Sequence, residues 1–392
     1  MHNNYFSPRL RAIPGRHTAL FFVALMLPII TTVLMWGCVA PASSAISSAP
    51  TLDEKIGQML MVGFRGTEVD AKHFIVQDIQ QRNLGGVILF DYDVINAERN
   101  RNIESPAQVK ALVSQLQQVA ATPLLVSVDQ EGGIIARLKE GYGFPPTRSH
   151  LDLGTQDDLH RTLTATSALA TTLNDAGLNL NMAPVVDLCF NPDNPVIAAY
   201  ERCFSAKPQQ VTAHALSYIA AHHQCGVLTT LKHFPGHGSS QHDSHLGLVD
   251  VTQSWSEVEL LPYQNIIAAG QADLVMTAHV FNAKLDPEYP ATLSRATIEG
   301  ILRQKLGFDG VVISDDMQMG AIVDHYGFET AITQAITAGV DILVFGNNMH
   351  YDETIVTRAI ATIKELVRNG TLSEARIDQA YERIMLLKRR LK

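Results

Sequence analysis

The chain has 392 residues, a formal charge of −9 and 46% hydrophobic residues, enough for one large α/β domain or two small ones. An acidic balance, with no dense cluster of Lys and Arg before Lys388-Arg389-Arg390-Leu391-Lys392, argues against nucleic acid as a partner. That basic run reads as the solvated end of a helix.

In chain order, Arg9, Arg11, Arg16 and His17 precede an apolar run from Ala19 to Trp36, then Gly37-Cys38 and a Ser/Ala/Pro-rich stretch from Pro41 to Pro50. A basic start, an apolar middle and small residues at the cut are the layout of an export signal. The apolar run is also long enough to stay as a membrane anchor. Met35-Trp36-Gly37-Cys38 resembles a bacterial lipoprotein processing site, with Cys38 as the lipidated residue. Residues 1–50 are therefore expected to be signal and tether, and residues 51–392 one folded domain in the periplasm or cell envelope. Contact with a membrane is expected through the N-terminal segment alone. Cys189, Cys203 and Cys225 remain. Cys189 and Cys203 share one loop region and could pair in an oxidising compartment; three small buried hydrophobes is an equal reading. No cysteine spacing suggests zinc.

Eight short apolar runs follow as strand candidates: Met59–Phe64, Gly86–Phe90, Leu124–Val128, Leu180–Val186, Val227–Leu231, Leu274–Thr277, Val311–Ser314 and Ile342–Phe345. Helix signals lie between them. Ser105-Pro106 before Val109, Leu112, Val113 and Leu116 gives a cap, a first-turn proline and helical spacing. Thr297 to Leu306 and Glu329 to Ala338 also read as amphipathic helices. Eight strands alternating with helices predict an α/β fold, a (β/α)8 barrel. An open doubly wound sheet is the alternative, but no Gly-rich phosphate fingerprint follows the first strand.

Such barrels carry their active sites at the strands' C-terminal ends. The residues just past the runs are polar: Asp91, Asp129, Asp187, Lys232 and His233, His279, Asp315 and Asp316, Asn347. In Ser314-Asp315-Asp316-Met317 the two adjacent carboxylates alternate sides of an extended backbone, so one faces the substrate and the other is structural. Asp243-Ser244-His245 is an i, i+2 pair whose side chains share a side. A carboxylate bonded to imidazole Nδ1 would leave Nε2 to shuttle protons. In Asp129-Gln130-Glu131-Gly132-Gly133 the twin glycines permit close approach of a ligand, and Asp129 with Arg137 could hold hydroxyls. Arg202 could reach inward or cap a helix. Asp187, Asn191 and Asp193 are equally explicable as turn formers.

Taken together, Asp129–Gly133, Lys232-His233-Phe234-Pro235-Gly236-His237-Gly238 with Asp243-Ser244-His245, and Gly307–Met317 resemble glycoside hydrolase family 3, in particular its single-domain bacterial β-N-acetylglucosaminidases. The resemblance implies Asp315 as the nucleophile, His245 as the acid/base and Asp243 as its partner. It makes Asp129, Arg137, Arg202, Lys232 and His233 the residues that bind the sugar. It implies no metal and no cofactor. The substrate would be a β-GlcNAc oligosaccharide or muropeptide, the reaction retaining, and the enzyme a monomer. Ser239-Ser240 stand where the family often has Asp-Thr, and Ile134 where many members carry Arg. Substrate-assisted hydrolysis and phosphorolysis are the competing mechanisms. A catalytically dead cell-wall-binding lipoprotein is the alternative of a different class.

Overall fold

Eight parallel strands pair in sequential order and close on themselves. They are β1 Leu60–Gly63, β2 Gly86–Leu89, β3 Leu125–Val128, β4 Leu180–Asn181, β5 Leu228–Phe234, β6 Leu274–Thr277, β7 Val311–Asp316 and β8 Ile342–Phe345. The computed structural model describes residues 49–243 and 247–391. Residues 1–48 of the signal and tether expected over residues 1–50, the lipidation expected at Cys38, and His245 lie outside the described residues. Among the described residues no helix is long and apolar enough to cross a membrane.

The strands are short and near-continuously apolar because both their faces are covered, one by the barrel interior and one by helices. Leu60, Met61, Val62, Val87, Leu89, Val126, Val128, Leu343 and Phe345 are all buried. Closure is made by β1, which pairs with β2 at Met61↔Gly86 and with β8 at Leu60↔Leu343. The predicted (β/α)8 barrel is therefore the observed fold.

The helices form where capping and periodicity required. Pro106–Val119 starts at Ser105, whose side chain accepts from the backbone N–H of Gln108, and it buries Val109, Leu112, Val113 and Leu116. Phe328–Ala338 ends at Gly339 in a left-handed conformation. The stretch expected as an α-helix from Thr297 is a π-helix over Ala296–Lys305.

Three boundaries differ from expectation. β4 stops at Asn181 instead of Val186, because Pro184 has no N–H for a ladder bond. β5 continues past Leu231 to Phe234, so Lys232 and His233 are strand residues held by sheet geometry. β7 likewise carries both Asp315 and Asp316. The C-terminal basic run is not simply solvated. Lys388 is buried, with its ammonium on the side-chain oxygen of Gln58 and the carbonyl of Gly85. Arg390 pairs with Asp273 at 2.6 Å. These contacts draw the last helix, Glu374–Lys388, across the end where the strands begin. Cys189 and Cys203 are joined in a disulfide, which decides the question left open above, and Cys225 is free.

Candidate active site

At the opposite end, where the strands finish, a cavity of about 480 Å3 opens. Asp129, Arg137, Arg202, Lys232, His233, Asp243 and Asp315 all line it. The barrel thus brings together residues from β5 and β7 and from the loops that follow β3, β4 and β5. Of the expected site residues other than Cys38, only His245 has no described position; its neighbour Asp243 stands on the cavity wall.

The cluster is built on Lys232. Buried near the end of β5, it donates to Asp129 Oδ1 at 2.8 Å and meets Glu131 Oε1 at 2.8 Å. Arg202 reaches inward; it does not cap a helix. Its Nε and Nη2 donate to the two Glu131 oxygens, each at 2.8 Å. The fork matches the carboxylate in shape as well as charge. Nη2 also lies 3.0 Å from His233 Nε2. A guanidinium can only donate, so Nε2 accepts and the proton sits on Nδ1, donated to Asp187 at 2.7 Å. Asp187 takes a further N–H from His237 at 2.8 Å. It is a buried anchor for β5 and the loop beyond it, not a turn former. Asn191 is likewise a staple, donating to the Ser240 carbonyl, while its own carbonyl receives Asp193 N–H in a turn.

Charge keeps the cluster ionised. Burial by itself would raise the Glu131 carboxyl, but Arg202 and Lys232 outweigh it and hold Glu131 well below the ordinary range. Asp129 is also lowered, burial being overcome by Lys232 and Arg137. Lys232 is raised, because its two carboxylates exceed the cost of its burial. Arg137 is held more loosely, 3.7 Å from Asp129 and 3.8 Å from Asp91, and its Nε has no hydrogen-bond partner. Its donors are the least committed in the cluster.

The twin glycines serve packing, not ligand approach. A Cβ on Gly132 would meet the Arg148 carbonyl at 2.2 Å, and one on Gly133 would meet Ser149 Cα at 2.8 Å. On β7 the two aspartates divide as expected. Asp316 Oδ1 accepts the N–H groups of Gln318 and Gly346, each at 3.0 Å, which ties it to the backbone. Asp315 accepts the Asp316 N–H at 2.8 Å and lines the cavity.

The loop after β5 is anchored from behind by Glu259, a residue that no sequence motif singled out. Glu259 accepts from Ser239 Oγ at 2.6 Å and from Gly238 N–H at 3.1 Å. Burial raises its carboxyl to about 7. Ser240 Oγ lies 2.6 Å from His237 Nδ1 and receives Asn194 at 3.1 Å. The two serines that depart from the family pattern are therefore both engaged inside the loop. Gly238 has no room for a side chain, since a Cβ there would lie 1.8 Å from the Leu188 carbonyl.

Residues 51–387 match the family model for the glycosyl hydrolase family 3 N terminal domain. The chain belongs to glycosyl hydrolase family 3. This family 3 glycoside hydrolase is 36% identical over 292 residues to a beta-hexosaminidase of Tolumonas auensis, covering 74% of this chain and 83% of the relative. It is 32% identical over 380 residues to beta-hexosaminidase A of Pseudoalteromonas piscicida, where it spans 61% of that protein. Among solved structures, it resembles a family 3 beta-N-acetylglucosaminidase from Paenibacillus sp. str. FPU-7, with TM-score 0.79 and 36% identity, covering 87% of this chain and 63% of that one. It also resembles a beta-N-acetylhexosaminidase from Beutenbergia cavernae, with TM-score 0.78 and 28% identity over 87% of this chain and 99% of that one.

Proposed function

We propose that this family 3 enzyme is a retaining exo-β-N-acetylglucosaminidase. The carrying observation is that Asp315 lines the same cavity as the Asp129–Lys232–Arg202–His233 cluster, with Asp243 also on its wall. The beta-hexosaminidase relatives support the sugar, a terminal β-linked GlcNAc on a chitin-type or peptidoglycan-derived oligosaccharide.

Asp315 attacks the anomeric carbon. The glycosidic C–O bond breaks, its electron pair leaving with the aglycone oxygen, which takes a proton from the His245 imidazolium. Neutral His245 then removes a proton from water, the water oxygen attacks the same carbon, and the Asp315 ester bond breaks. Two inversions restore the β configuration. Asp243 holds the imidazole in its useful tautomer. Asp129 and Lys232 receive the sugar hydroxyls, His233 takes part in binding the sugar by orienting Arg202, and Arg137 and Arg202 complete the ring of donors. The disulfide supports export, because such bonds persist in oxidising compartments.

Asp315→Ala should cut hydrolysis of an aryl β-GlcNAc by about a thousandfold or more. A fluorinated GlcNAc donor should label Asp315 in the wild type. Near-normal turnover of the variant, or label on another residue, overturns the assignment. Asp243→Ala should move the pH profile of kcat/KM; an unmoved profile rejects the dyad.

A further inference from the structure

Asp129 and Glu131 line the cavity, and Gln130 between them does not. It is buried, and its side chain is engaged by the chain seven residues further on. Oε1 accepts the N–H groups of Arg137 and Leu138, each at 2.9 Å, and Nε2 donates to the Leu138 carbonyl at 3.1 Å. Among the described residues, these are all the hydrogen bonds that the main chain of Arg137 and Leu138 makes.

An amide suits this post. It both accepts and donates, so one side chain answers the N–H groups and the carbonyl of a stretch that belongs to no strand or helix. A carboxylate could not donate to Leu138, and an apolar side chain would leave all these groups without partners. Gln130 is itself fixed to the scaffold. Its N–H donates to Asn181 Oδ1 at 3.1 Å, and its carbonyl accepts from Asn181 Nδ2 and from the Tyr218 hydroxyl, each at 2.9 Å. Asn181 ends β4, and Tyr218 lies in the helix Pro208–Gln224. A buried polar chain thus runs from a helix, past a strand, to the backbone of Arg137.

Arg137 needs such a hold because its guanidinium does not fix its own place. Its ion pairs with Asp129 and Asp91 span 3.7 and 3.8 Å, its Nε has no hydrogen-bond partner, and the Phe90 ring is 5.8 Å away. Each of these contacts is longer than a direct hydrogen bond. Arg202 is the contrast, since its own fork grips Glu131 at 2.8 Å. Ala136 and Leu138 are buried on either side of Arg137, which turns its side chain to the cavity. The bonds to Gln130 then set how far that side chain reaches.

We propose that Gln130 is a positioning residue for the sugar: it fixes the main chain from which Arg137 reaches the cavity wall, and acts on the sugar through Arg137 without touching it. The inference rests on the β-N-acetylglucosaminidase reading, in which Arg137 binds the terminal GlcNAc, and adds a residue which that reading does not contain. Without Gln130, Arg137 samples places from which its donors miss the hydroxyls. A misplacement of about 1 Å in a positioning group costs on the order of a hundredfold in rate.

The test is a double-mutant cycle on the full chain with an aryl β-GlcNAc. Gln130→Met and Arg137→Met should each lower kcat/KM by about tenfold or more. Added to Arg137→Met, Gln130→Met should cost under about twofold in kcat/KM, although it lowers Tm in both backgrounds. A merely structural role, or one exerted through Asp129 or Glu131, would carry its full loss into the Arg137→Met background. Such additivity overturns the inference, and so does a wild-type kcat/KM in either single variant. Where Gln130→Met fails to fold by near-ultraviolet circular dichroism, Gln130→Glu takes its place. It keeps the oxygen for both N–H groups and loses only the donor to Leu138. A loss of about threefold confined to the chain that has Arg137 supports the inference; no loss, or one that persists in Arg137→Met, overturns it. If the wild type hydrolyses no β-GlcNAc glycoside, the β-N-acetylglucosaminidase reading has failed and the inference falls with it. An active wild type with additive losses overturns the inference alone.

Discussion

Lys232 has carboxylates 2.8 Å away on two sides. Replacing it with Met fills the same space and leaves Asp129 and Glu131 buried beside one another, with less cation to share. Breaking a buried pair in this way costs about 3–5 kcal/mol. Lys232→Met should lose about that much in urea unfolding at pH 7, and the loss should shrink below about pH 4, where the carboxylates of the unfolded chain and of the cation-less variant take up protons before those of the native wild type. The sign follows from the directions of the shifts. Asp129 and Glu131 are lowered in the fold, so they stabilise above their unfolded values and lose that contribution as pH falls through the folded ones. A loss equally large at pH 3 would refute the account. At this scale the sequence was legible where a residue type and its place after a strand sufficed, as for Asp315, Lys232 and Asp129. It was not legible for Glu131, whose partner Arg202 is 71 residues away. Nor was it legible for Asp187, since nothing local separates a buried histidine anchor from a turn aspartate.

A strand and its following loop behave as one unit when a buried group ties them. Asp187 does this for β5 and the loop after it, and Glu259 holds the same loop at Gly238 and Ser239, at a cost that depends on pH. Burial raises its carboxyl from 4.5 to about 7. The fold therefore favours the protonated acid, and stability from this group falls as pH climbs from about 4.5 to about 7. Glu259→Gln keeps an acceptor for Gly238 N–H and offers an N–H to Ser239 Oγ. It should match the wild type in stability near pH 4.5 and exceed it by up to about 3 kcal/mol at pH 8. Thermal melts across that range decide it; a constant gap counts against the titration. The elements themselves were largely predictable, because eight apolar runs leave few alternatives. The ends were less so. β5 outran its apolar run, since Lys232 and His233 stay in the sheet by bonding to Asp129, Glu131 and Asp187 in the loops after β3 and β4, which a hydropathy pattern does not contain.

For the molecule as a whole, the disulfide Cys189–Cys203 closes the loop after β4, and Arg202 sits beside one end of it. A closed loop of this length contributes about 3 kcal/mol in the chain-entropy account. Cys203→Ser, or reduction of the wild type with dithiothreitol, should lower Tm and also kcat/KM, because the loop that carries Arg202 gains freedom. Equal Tm with and without reductant would show that the bond constrains nothing. The barrel could be foreseen from strand count and alternation. The pairing of the cysteines could not, because it depends on which loop folds over the barrel mouth.

The amine of Lys388 lies buried against Gly85, which immediately precedes β2, and against Gln58, just ahead of β1. The closing helix is thus a stopper seated in the floor of the molecule. Trimming it by a turn would take the amine away from the Gln58 amide and from the Gly85 carbonyl, which would keep the Leu125 N–H, whereas an extension attached after residue 391 begins beyond the plug and leaves the rim of the cavity, at the far pole, untouched.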